Sequence, residues 1–85
     1  MSGGYFDHEH YKLESIADSI EDLIREGGYS TQTLELFKLG LQYARRAYVY
    51  AQRIDYLVSG DDGEATFLRR LSEDLLKLDY EQDTK

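Results

Sequence analysis

The chain of 85 residues has no cysteine, no proline and no tryptophan. Without cysteine there is no disulfide framework, no zinc–thiolate site and no thiol nucleophile. Without proline, helices can run long and unbroken. Basic residues are scarce as well: 10 Lys and Arg stand against 17 Asp and Glu, for a net charge of −7. Such a chain repels DNA, RNA and anionic lipid at long range and suits a basic protein surface. Direct nucleic-acid binding is therefore not expected. Nor is a membrane role, since no apolar run approaches the roughly 20 residues a bilayer span needs. The opening "MSGGYFD" lacks the basic and apolar regions of a signal peptide, so a cytoplasmic setting is expected.

What the chain does hold is 41% apolar residues and eight tyrosines. Its length predicts one helical domain over 1–85, near the size at which a single core is only marginally stabilising. Tyrosine can pack its ring while its hydroxyl reaches water, a useful property at interfaces. Glycines punctuate the chain at Gly3-Gly4, Gly27-Gly28 and Gly60 to Gly63, and the apolar period between them is helical.

Three antiparallel helices are predicted, over about residues 8–26, 30–59 and 62–79, with frayed ends at 1–6 and 80–85. Leu13, Ile16, Ala17, Ile20, Leu23 and Ile24 form the stripe of the first, opposite an acidic face. Asp7 is its expected N-cap and Gly27-Gly28 its stop. Ser30 caps the second helix, with Tyr29 placed to staple onto Leu34. Phe67, Leu68, Leu71, Leu75 and Leu78 form the stripe of the third.

The second helix carries two apolar seams. One is Leu34, Phe37, Leu41, Ala44, Tyr48, Ala51 and Val58; the other is Leu36, Gly40, Tyr43, Ala47, Tyr50, Ile54 and Leu57. This helix should span roughly 45 Å and its neighbours about 25–30 Å each, so they flank it together over only part of its length. An apolar seam left in water is disfavoured. A homodimeric helical bundle is therefore expected, with Gly40, Tyr43, Ala44, Ala47, Tyr50, Ala51, Ile54 and Leu57 at the interface. The alternative is a monomer with a shorter or kinked central helix.

Charge is unevenly placed. Residues 1–29 hold seven acids and two bases, residues 30–59 two acids and four bases, and residues 60–85 eight acids and four bases. Arg45, Arg46 and Arg53 have no acid four positions away, so they are expected to pair with acids on the outer helices. A sharper reading joins them to Tyr43, Tyr48 and Tyr50 as an anion pocket for a nucleotide. Asp55 interrupts the first seam, and a rim position is expected for it, the alternative being a pair with an arginine such as Arg69 or Arg70.

"DHEH", Asp7 to His10, is read as solvated rather than metal-binding, because the histidines are two apart and H-E-x-x-H is absent. No metal, cofactor or catalytic constellation is predicted, and the chain is not expected to be an enzyme. "SGDDGE", Ser59 to Glu64, invites comparison with a calcium loop. With Gly63 at the invariant glycine of such a loop, Val58, Gly60 and Arg69 fall on ligand positions and only Asp62 fits. Its acids would also repel a phosphate. It reads instead as a joint: Gly60 ends one helix, and Asp61 with Glu64 caps the next as a capping box.

The stretch "YSTQTLELFKLGLQYARRAYVYAQRIDYLVSGDDGE", continuing through "TF", "RRL" and "EDL", resembles a group of short, uncharacterised proteins encoded by tailed bacteriophages and prophages. The likeness covers roughly two thirds of the chain. Tyr56 stands where that group would place a larger aromatic. The resemblance implies a small phage gene product and carries no catalytic or binding residue with it. It points to an acidic protein–protein interaction module, a modulator or inhibitor of a host protein. The competing readings are the nucleotide binder and a structural or assembly accessory.

Overall fold

A computed structural model shows three helices in the order α1 (Tyr11–Glu26), α2 (Thr31–Val58) and α3 (Glu64–Asp83). It describes residue 6 and residues 9–83, the last four of these by backbone alone. The fold is all-α with a long central helix. Both connections reverse the chain: Tyr29 packs on Phe37 while Arg45 meets Asp18 and Glu21, and Arg53 meets Asp74 while Arg46 meets Asp79. Each outer helix thus runs antiparallel to α2. Among the described residues, α1 and α3 both pack on α2 and make no contact with each other.

The boundaries have local causes. Ser30 is extended, and its hydroxyl accepts from the Thr33 N–H at 3.2 Å, which caps α2 as expected. Gly27, Gly28 and Gly60 take positive φ at the two helix ends, where a side chain would be strained. Tyr29 also packs on Phe37, with ring centroids 5.0 Å apart and the planes tilted at 59°.

Three expectations about the ends are corrected. The joint is longer than expected: α3 begins at Glu64 rather than 62, and the Phe67 N–H donates to the Gly63 carbonyl. The Asp61 and Asp62 N–H groups both donate to the Tyr56 carbonyl and wind up the end of α2. At the other end, α3 runs on through Asp83, since nothing in "DYEQD" breaks a helix and Asp79 is held by Arg46. Finally, α1 begins three residues later than predicted and is preceded by His10, whose side chain makes no cap bond. Asp7, the expected cap, and His8 lie outside the described residues, as do 1–5, 84 and 85. Phe6 is not frayed: its N–H donates to the Asp55 carboxylate.

The interior is slight. Ala17 is the sole fully buried apolar residue among those described. The first seam of α2 is half-buried from Leu34 to Ala51 while its last member, Val58, is exposed, and Tyr29 and His10 both meet it. One layer of helices laid side by side cannot enclose a core; two packed layers are the usual minimum.

Candidate functional site: the uncovered seam of the central helix

The second seam of α2 is the side that neither outer helix covers. Leu36 is 63% exposed, Tyr43 64%, Tyr50 44% and Ile54 37%, and Ala47 is exposed as well. Gly40 and Leu57, at either end of the expected set, are half-buried. Leu36, Tyr43, Tyr50 and Leu57 recur every seven residues, and so do Gly40, Ala47 and Ile54. Their alternating steps of four and three make a heptad seam of the kind that pairs helices knobs-into-holes. Ala44 and Ala51 do not belong to it. They are half-buried on the first seam, so these two members of the predicted interface face inward. Leu39, which the period did not single out, is 42% exposed beside Leu36 and Tyr43 and widens the patch. Its signal was its spacing, three residues after Leu36 and four before Tyr43.

Gly40 is unusual within this seam. A glycine inside a helix is about 1 kcal/mol less favourable than alanine. Its φ is not positive, and a Cβ placed on it would meet nothing within 4 Å. Among the described residues, neither a positive φ nor a neighbour close to its Cβ position accounts for it.

The three arginines of α2 are engaged by carboxylates. Arg45 reaches Asp18 at 3.5 Å and Glu21 at 3.4 Å on α1. Arg46 binds Asp79, and Arg53 binds Asp74 at 2.8 Å and Asp62 at 3.6 Å. Arg53 also lies over the Tyr56 ring, 5.5 Å from its centroid. The expected pairing with both outer helices is found. A phosphate would have to displace these acids, and of the predicted anion pocket only Tyr48 and Arg53 come together, in one cleft: Tyr43 and Tyr50 lie on the uncovered seam, while Arg45 turns to α1 and Arg46 to α3.

Where α1 and α3 diverge, they leave an open cleft of about 440 Å³ lined by Glu14, Tyr48, Gln52, Arg53, Asp74 and Lys77. On its floor the Gln52 amide donates to the hydroxyls of Tyr48 and Tyr56. The Tyr48 phenol is pushed above the ordinary tyrosine value, first by burial and then by the nearby Glu14 carboxylate. The cleft mixes acids and bases.

Asp55 is corrected from rim to interior. It is fully buried, accepting from the Phe6 N–H and the Ser59 hydroxyl, each at 3.2 Å, and facing His10 rather than Arg69 or Arg70. His10 is buried too, with its ring 4.4 Å from that of Tyr11. Among the described residues, no three His, Asp or Glu side chains are grouped to hold a metal ion, and no helix is long and apolar enough to cross a membrane.

Comparison with protein-family models, with curated proteins and with solved structures returns no match to this chain.

Proposed function

We propose that this chain is a protein–protein interaction module without a catalytic role, working in the cytoplasm as a homodimer joined through α2. The observation that carries the reading is the exposed heptad seam of Leu36, Tyr43, Ala47, Tyr50 and Ile54. A chain this small with so slight an interior gains most by burying such a seam against another molecule. Charge favours a second copy at that place. Residues 30–59 carry four bases and two acids, whereas the segments on either side are strongly acidic, so two copies repel least where α2 meets α2.

Joining through α2 leaves Glu14, Asp18, Asp22 and Glu26 of α1 and Glu73 of α3 exposed. These carboxylates suit a basic partner protein, and the resemblance to short phage proteins makes a host protein the partner. Light scattering at micromolar concentration tests the first step. A mass twice the chain's 9.9 kDa is expected, and a mass of 9.9 kDa overturns the reading.

A further inference from the structure

We infer that the two copies of α2 cross antiparallel, centred on Arg45, so that each tyrosine of the seam seats over a small residue of the partner copy. This rests on the homodimer proposed above and adds its orientation and register. The exposed part of the seam begins at Leu36 and ends at Ile54, and its midpoint is position 45. Reversing one copy about that point sets Leu36 against Ile54, Gly40 against Tyr50 and Tyr43 against Ala47, each layer occurring twice. Every layer then joins a bulky side chain to a smaller or complementary one, as close packing requires. The open space beside Gly40 receives the ring of Tyr50 from the other copy, which supplies the reason for a glycine at mid-helix.

A parallel pair does worse. It sets Gly40 on Gly40 and Ala47 on Ala47, leaving voids, and crowds Tyr43 on Tyr43 and Tyr50 on Tyr50. An antiparallel pair shifted by one heptad, centred between Tyr48 and Val49, keeps the small-to-large matching. It buries the already half-buried Leu57, however, and leaves Leu36, 63% exposed, beyond the end of the partner helix. The flanks are compatible with the favoured register. Arg46 approaches its own copy across the two-fold axis, and Asp79 on α3 neutralises it.

The absence of native cysteine makes a direct test available. Leu36→Cys and Ile54→Cys chains are prepared separately, oxidised alone and as a mixture, and their masses in solution are measured under reducing conditions. The expected result is a disulfide dimer at least ten-fold more abundant in the mixture than in either chain alone, made of one chain of each kind. Positions 36 and 54 of one helix are about 27 Å apart along its axis, so neither chain can cross-link to itself in this arrangement. Self-cross-linking of Leu36→Cys overturns the antiparallel orientation. A dimer by mass with no cross-link in the mixture overturns the register. A native chain of 9.9 kDa overturns the homodimer itself. Gly40→Leu provides a second measurement, since a Cβ at this position meets no described atom within 4 Å. Its helical circular dichroism should be kept while association weakens at least ten-fold, and undiminished association overturns the placement of Tyr50 over Gly40.

Discussion

His10 Nδ1 lies 3.7 Å from Asp55 Oδ2, with both side chains buried, and so ties the start of α1 to the last turn of α2. The same carboxylate accepts from Ser59 in its own helix and from the backbone of Phe6, 49 residues earlier. Truncating it leaves several polar groups facing a space that water enters poorly. Asp55→Ala is expected to lower the unfolding free energy by about 2–4 kcal/mol. Urea denaturation measures this, and a loss below about 0.5 kcal/mol, the range of ordinary surface changes, would refute the anchoring role.

Little of that anchor was legible beforehand. The helices were, because apolar residues recur at helical steps between glycine stops and proline is absent. Asp55 was not, because its partners at positions 6 and 10 precede the first helical stripe, and no local pattern predicts that the chain folds back over the last turn of α2. The joint at Gly60 to Glu64 misled for a related reason. The spacing there suggests a helix from 62, but Gly60 is left-handed and the Asp61 and Asp62 N–H groups both turn back to the Tyr56 carbonyl, so α3 starts at Glu64. The two seams of α2 were visible by period, whereas the choice of which one α1 covers depends on three-dimensional packing. Ala44 and Ala51 show this, since nothing in their own size distinguishes them from Ala47.

The Ser30 cap offers a local test. Ser30→Ala should cost about 1 kcal/mol and Ser30→Gly only a few tenths, since the hydroxyl answers one free amide of the first turn. Thermal unfolding followed by circular dichroism resolves the difference. Equal midpoints for Ser30→Ala and the native chain would remove the cap from the account.

Tyr48 links burial to alkaline stability. Its folded-state pKa is raised above the unfolded value near 10, so its contribution is fully present below about pH 10 and is lost as pH rises through the folded value. Tyr48→Phe should therefore lose less stability than the native chain between pH 9 and pH 11 (roughly one unit either side of the reference value). Urea midpoints at the two pH values give the comparison, and parallel losses in both chains would contradict it.

The Arg46–Asp79 pair holds the far half of α3 against α2. Both side chains are more than a third exposed, so a double-mutant cycle with alanine at each position should return a coupling of about 0.2–1 kcal/mol that shrinks in high salt. Faster amide exchange over the last turns of α3 in Asp79→Ala, with α1 unaffected, is the accompanying result. Coupling that is zero at low salt would show that α3 stays docked without the pair.

Because, among the described residues, α1 and α3 each pack on α2 and not on one another, the helices form two hairpins sharing a strut. Helix packing is therefore between helices adjacent in the chain, a topology that folds rapidly. It also lets the two arms open independently, each with its own local free energy. A partner that grips the acidic face of one arm could peel it from the strut without disturbing the other. The cost of capture would then be set arm by arm rather than by the stability of the whole.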